Sequence, residues 1–217
     1  MNHETRICST VQSGEGDCES GIRRQFGHPA GVLGWLVGHV MAIKNRSRGE
    51  WVVSLLELES TDRVLEIGFG PGVDVRRARR LVTSGLIAGV DPSHEMLRQA
   101  RRRNADTRER IDLRLGSAVA LPFGDSHFDK VLASNSVQFW PDLDTGLVEL
   151  HRVLRPGGRV VISIQPRSKG ATADTTVEWG RRIVQAMIAN GFTAVRTESH
   201  AMRPVPAVAV IGLKPRR

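Results

Sequence analysis

The sequence predicts a doubly wound α/β domain: a seven-stranded, mostly parallel sheet with helices on both faces, closed by an antiparallel hairpin and preceded by two extra helices. Three observations carry this. Short apolar runs alternate with segments of helical periodicity through residues 63–190. A turn with glycines at alternate positions, 68, 70 and 72, joins the first of those runs to its helix. The last two apolar runs, 192–198 and 205–213, are joined by a connection too short for anything but an antiparallel pair.

The elements follow in order. Residues 1–27 are rich in Ser, Gly, Glu and Arg without periodicity and are expected to form a disordered tail. Residues 28–60 are expected to form a helical cap. In its first helix Val32, Leu33, Leu36, Val37, Val40 and Met41 share a face, with Pro29 in the opening turn and His39 near the apolar side. A break is expected at Asn45–Gly49, and a second helix carries Trp51, Val52, Leu55 and Leu56. The core is expected over 61–217. Its first strand, 63–67, is apolar enough to be buried on both faces.

The helix after the glycine turn places Val75, Ala78 and Val82 on one face and arginines on the other. Leu86–Val90 is the second strand, closed by Asp91, and Ser93 is a suitable cap for the helix that follows. Ile111–Leu115 alternates and reads as a strand nearer an edge. Phe128–Asn135 is the fourth strand. The next helix, to Val153, has Leu143, Leu147, Leu150 and Leu154 as its stripe, and Arg155-Pro156-Gly157-Gly158 turns into a fifth strand, 160–164. Residues 166–176 read as a polar loop on the strand-end side, able to act as a mobile cover. A helix over 178–190 and the hairpin complete the chain.

Composition bounds the function. The chain has 217 residues, 40% hydrophobic and 25% charged, ordinary for one globular domain with a full core. The net charge of +8 is mostly arginine. Those arginines follow helix positions instead of interleaving with aromatics, so they read as solvated faces rather than a nucleic-acid surface. Cys8 and Cys18 show no zinc-type spacing and sit in a segment too polar for a disulfide scaffold, so a reduced, cytoplasmic protein without a metal centre is expected. Residues 1–20 lack a leader pattern, and Ala30–Ile43 is too short to span a bilayer. Tyrosine is absent and can supply neither base nor nucleophile.

The glycine turn departs from the dinucleotide pattern, whose third glycine would fall at Val73. The pattern present is E-x-G-x-G-x-G, from Glu66 to Gly72. With Asp91 at the second strand end, the Ala118–Phe123 segment A-V-A-L-P-F and the R-P-G-G turn, the chain resembles the class I S-adenosylmethionine (SAM)-dependent methyltransferases of small-molecule type, over about residues 50–215. The resemblance implies a Rossmann-like sheet and methyl transfer from the SAM sulfonium to a nucleophile held in line. Glu66 is then expected to orient the glycine loop or to accept from the amino-acid end of the cofactor through water. Gly68, Gly70 and Gly72 permit close approach, Phe69 and Pro92 flank the adenosine, and Asp91 accepts from ribose hydroxyls. Ser117 and Ala118 meet the adenine; the family's acidic residue is replaced by Ser117 here. Ser134 lies near the sulfonium. Asn135, Gln138 and Trp140 are expected to face the acceptor, with Phe139 as an aromatic plug. His39 is the one nearby base the sequence offers. The expected acceptor is a small molecule. A nucleic-acid methyltransferase is the alternative, although no Asn/Asp-Pro-Pro-aromatic tetrapeptide follows the fourth strand. A further alternative is a protein that keeps the cofactor without the chemistry.

Overall fold

The computed structural model describes residues 46–216. The expected tail over 1–27, the first cap helix and His39 lie outside these residues. The elements are α1 (Arg46–Leu55), β1 (Arg63–Ile67), α2 (Val73–Leu81), β2 (Leu86–Asp91), α3 (His94–Arg103), β3 (Ile111–Leu115), β4 (Phe128–Ser134), α4 (Leu143–Val153), β5 (Leu154–Ile164), α5 (Ala173–Ala189), β6 (Thr193–His200) and β7 (Ala207–Leu213). Short 3-10 turns lie at Ala105–Arg110 and Val137–Phe139.

The strands form one sheet in the order β3-β2-β1-β4-β5-β7-β6. Strands β1 to β5 pair in parallel; β7 runs antiparallel to both β5 and β6. β3 is an edge, as its alternation suggests. The order reverses between β1 and β4, and the crevice beyond their carboxyl ends is where ligands bind in such sheets.

Alternate residues of each strand feed two cores, one per face. Leu65, Ile67, Val131, Ala133, Val160 and Ile162 pack with Leu147 and Leu150 of α4 and Ile183 and Met187 of α5. Val64, Leu132 and Val161 pack on the other side with Val52 and Val53 of α1, Val75 and Ala78 of α2, and Met96 and Ala100 of α3. Period two puts Glu66 on this second face, two residues after Val64, at an interior position that an apolar side chain would ordinarily fill. Among the described residues no helix is long and apolar enough to cross a membrane.

Three expectations are corrected. The break at 45–49 is not present over its described part: α1 begins at Arg46 and runs through Ser47, Arg48 and Gly49. Gly49 is there because α1 lies directly on α2; a Cβ would fall 2.2 Å from Asp74 Oδ1 and 2.5 Å from Arg77 Nη1. The R-P-G-G turn is incorporated in β5 from Leu154, with a register shift against β4 and Gly157 at φ 79°. The loop after β5 is shorter than expected: Thr172 and Thr175 form a capping box that starts α5 at Ala173.

Candidate active site

The carboxyl ends of β1, β2 and β4, with the loops after β3 and β4, enclose a cleft of about 210 Å³. Glu66, Gly68, Phe69, Gly70, Asp91, Pro92, Ser117, Ala118, Ser134, Asn135 and Trp140 all line it. Two expected members do not. Gly72 sits behind the cleft at φ 74°, where a Cβ would lie 2.7 Å from the Ala100 Cβ and 2.9 Å from its Cα; its small size lets α2 start against α3. Gln138 turns back along the chain and donates from Nε2 to the Asn135 carbonyl at 3.0 Å.

The three glycines therefore do different work. Gly68, at φ 71°, makes room for Ser136, whose Cβ would be 2.4 Å from an added Cβ. Ser136 Oγ donates to the Ile67 carbonyl at 2.6 Å, fastening the end of β4 to the end of β1. Gly70, at φ 52°, has no atom within 4 Å of a would-be Cβ and lines the cleft. Its backbone N–H donates to Asp91 Oδ2 at 2.9 Å, while Asp91 Oδ1 accepts from the Ser93 N–H at 2.9 Å. Asp91 thus fixes the glycine loop and the start of α3 together. The Phe69 side chain is largely buried, its Cδ1 lying 2.7 Å from where a Cβ on Gly89 would stand, at the wall of the cleft.

Glu66 is 4% exposed, and its Oε2 has no hydrogen-bond partner. Burial, then the negative charges of Asp74 and Asp91, hold its carboxyl well above the usual carboxylate range; Arg77 and a bond from the Val75 N–H oppose this. Asp74 pairs with Arg77, and both line the same part of the cleft.

Beyond β4, Asn135 adopts φ 55°, and its Oδ1 accepts from the Gln165 N–H at 2.8 Å. The side chain expected to face an acceptor is therefore tied to the end of β5, although the residue does line the cleft. Phe139, expected as a buried plug, is 49% exposed and also lines it, next to Trp140 and Pro141. Trp140 lies on Gly146 of α4, where a Cβ would meet its ring at 2.6 Å; its indole Nε1 is buried without a partner.

Sequence reasoning missed two residues. Arg48 of α1 is 2% exposed and lines the cleft. It donates from Nη1 to Gln165 Oε1 at 3.2 Å. Gln165 is fully buried just past β5, and its Nε2 donates to the Arg203 and Val205 carbonyls at 3.1 and 2.9 Å. Burial, then the charge of Arg167, lowers the Arg48 pKa to about 10, with Asp74 opposing, so it is a cation at neutral pH. No motif flags Arg48. The available signal was its place one and two turns ahead of Val52 and Leu55 on a short helix, and the sequence reading placed it in a break.

Residues 65–162 match the family described as the methyltransferase domain. Over 180 residues the chain is 31% identical to YdaC, an uncharacterized methyltransferase of Bacillus subtilis (strain 168), covering 83% of this chain and 98% of that protein. It is 32% identical over 121 residues to the ubiquinone/menaquinone biosynthesis C-methyltransferase UbiE of Geotalea daltonii, spanning 54% of this chain and about half (52%) of that one. Among solved structures, phosphoethanolamine N-methyltransferase 2 of Haemonchus contortus in complex with SAM superposes with a TM-score of 0.65 at 18% identity, over 78% of this chain and 52% of that one. The methyltransferase in complex with the Haloferax volcanii Trm112 activator gives 0.69 at 19% identity, over 83% and 93%. The sheet order, the E-x-G-x-G-x-G loop at the crossover and these matches agree: the chain belongs to the class I SAM-dependent methyltransferase family.

Proposed function

We propose that this methyltransferase acts on a small organic acceptor held against Phe139, Trp140 and Pro141, with the adenosine of SAM at the Asp91 end of the cleft. The observation that carries the acceptor reading is the aromatic and apolar wall after β4, with a half-exposed Phe139 in it. Such a wall suits a flat or apolar acceptor more than a charged polymer. The name of the UbiE relative, a quinone-biosynthesis C-methyltransferase, points the same way. The surface charge is consistent with it: arginines are engaged locally, Arg76 with Asp106, Arg114 with Asp112, Arg155 with Asp129 and Arg181 with Glu178.

The cleft fits the cofactor on its own chemistry. Asp91 accepts a backbone bond at Oδ2 and at Oδ1 and lines the cleft at the end of β2, where a carboxylate can accept from hydroxyls. Gly70 leaves a surface that a side chain would fill, and Glu66 Oε2 is an orphaned buried acceptor. When bound, SAM supplies a methyl carbon already activated by positive sulfur. The tasks left to this chain are orientation and exclusion of water. Ser117, Ala118 and Pro92 would bracket the nucleoside, Ser134 would lie near the sulfur, and Trp140 and Phe139 would shield the acceptor. The carboxyl groups lining the described cleft, Glu66, Asp74 and Asp91, stand on the β1, α2 and β2 side, and no histidine lines it. This favours an acceptor that needs little help to lose a proton, such as a phenol, an enol or an amine.

The test is transfer of a labelled methyl group from SAM to three pools offered in parallel: quinols and phenols with small amines, total RNA, and denatured protein. Label in the small-molecule pool alone is expected. Label in RNA or protein would overturn the reading.

A further inference from the structure

We propose that the chain forms a two-fold dimer in which β6 pairs antiparallel with β6 of a second copy and α5 packs on α5 across the joint.

β6 ends the sheet, and among the described residues only β7 pairs with it. Its outer N–H and C=O groups therefore offer a template for another strand. A register shift between Thr193 and Arg196, with Ala194 at φ 49°, interrupts the start of β6 and leaves 196–200 regular. The bulge bars a long ladder, so the edge admits a short and specific one.

Charge sets the register. Arg196 and Glu198 lie on the α1 face of β6. The charge of Arg196 reaches Glu57 just past α1, and His200, next on that face, stacks on Trp51 at 5.1 Å. A two-fold axis through Thr197 sets Arg196 of each copy opposite Glu198 of the other, and opposite charges directly across a ladder stabilise it. Axes through Arg196 or Glu198 set like charges against each other. The strand is thus complementary to itself in one register, which makes a second copy, and not an unrelated strand, its occupant.

On the other face α5 supplies apolar surface. It lies over β7 and β6. Its flank toward α4 holds Arg182, whose charge reaches Asp142, and Asn190 at its end donates to Asp144 Oδ1 at 2.9 Å. Helical spacing puts Val177, Val184 and Ile188 on the opposite flank, toward the open edge. Val177 is 67% and Ile188 59% exposed. In the dimer the two α5 helices would stand two strand spacings apart, about 10 Å, which is a helix-packing distance. The two elements also agree on the position of the axis. Gly180 lies against Val208 and Met187 against Gly212, so Val210, the partner of Thr197, falls midway between them. An axis through Thr197 therefore passes midway along the apolar flank. It brings Val177 of each copy to Ile188 of the other, and Val184 to its own counterpart.

Sedimentation velocity of the whole chain over a dilution series tests this. The wild type should run as a dimer. Arg196→Glu and Glu198→Arg should each raise the dimer dissociation constant at least about tenfold. An equimolar mixture of these two variants should form a tight heterodimer, because their charges oppose again, and the double reversal in one chain should recover the wild-type constant. Ile188→Asp should dissociate the dimer through α5. Unchanged far-ultraviolet circular dichroism and unchanged affinity for S-adenosylhomocysteine (SAH) show that the variants are folded. A wild type that is monomeric at every concentration overturns the proposal. So does a dimer that survives both Arg196→Glu and Ile188→Asp, or a mixture of the two charge variants that stays monomeric.

Discussion

Gly70 and Gly72 occupy neighbouring places in one motif, yet substitution should damage different properties. In Gly72→Ala the new Cβ would meet the Ala100 Cβ at 2.7 Å, its Cα at 2.9 Å and the Asn104 Nδ2 at 2.9 Å, with φ at 74°. The left-handed backbone costs about 1–2 kcal/mol, and overpacking between α2 and α3 about 1–3 kcal/mol. Together this is roughly 2–5 kcal/mol of a total that is about 5–15 kcal/mol in ordinary domains. With a urea slope near the middle of the usual range, the midpoint should fall by roughly 1–2.5 M. Gly70→Ala pays only the backbone term, because no atom lies within 4 Å of its Cβ. Its midpoint should fall by under about 1 M. The same methyl group intrudes on the cleft and disturbs the N–H that donates to Asp91, so SAH should bind at least about tenfold more weakly. The pair is read by urea denaturation and by calorimetric titration with SAH at a temperature where both variants are folded. Equal midpoints for the two variants would refute the reasoning. So would wild-type SAH affinity in Gly70→Ala, or lost affinity in folded Gly72→Ala.

Other outcomes follow from the same geometry. Asp91→Asn replaces an acceptor with an NH2 group facing a backbone N–H, at Gly70 or at Ser93, and should weaken SAH by about 10- to 100-fold in titration. Glu66 has a raised folded pKa, so its stabilising contribution is complete below the unfolded value, near about 4.3, and is lost as pH rises through the folded one. Denaturation of ligand-free protein from pH 5 to 8 should therefore favour Glu66→Gln increasingly over wild type; parallel pH profiles would contradict this. Arg152 donates to the Leu121 and Phe123 carbonyls and pairs with Glu149 and Asp125. Arg152→Met should cost about 1–3 kcal/mol and speed hydrogen exchange across residues 117–125.

The fold was legible because each strand announced itself by a periodicity that burial enforces. Val75, Ala78 and Val82 face the core as their spacing requires, and the short link before β7 left only one direction for it. The Asp91 end of the cleft was legible for a related reason: Asp91, Gly68 and Gly70 are fixed by backbone geometry, which sequence spacing records. What failed depended on contacts distant in sequence. Gly72 looked like a ligand glycine, but its neighbour is Ala100, 28 positions away. Asn135 looked free, but its amide oxygen accepts from the Gln165 N–H, 30 positions on, while Gln138 Nε2 turns to the Asn135 carbonyl within its own turn. Arg48 was hidden because Arg-Ser-Arg-Gly reads locally as a break, and only the packing of Gly49 on α2 makes it helical.

The raised pKa of the Glu66 carboxyl makes the cleft a charge-regulated container. Asp74 and Asp91 disfavour a third negative charge beside them, and Arg77 offsets this only in part. A cationic guest lowers the cost of ionisation, and the proton leaves as the guest enters. Binding of SAM should thus release the proton from whatever fraction of Glu66 carries one. Its measured heat should vary with the ionisation enthalpy of the buffer, and the affinity should rise with pH until the proton is already gone. SAH, without the sulfonium, should release less of that proton than SAM does.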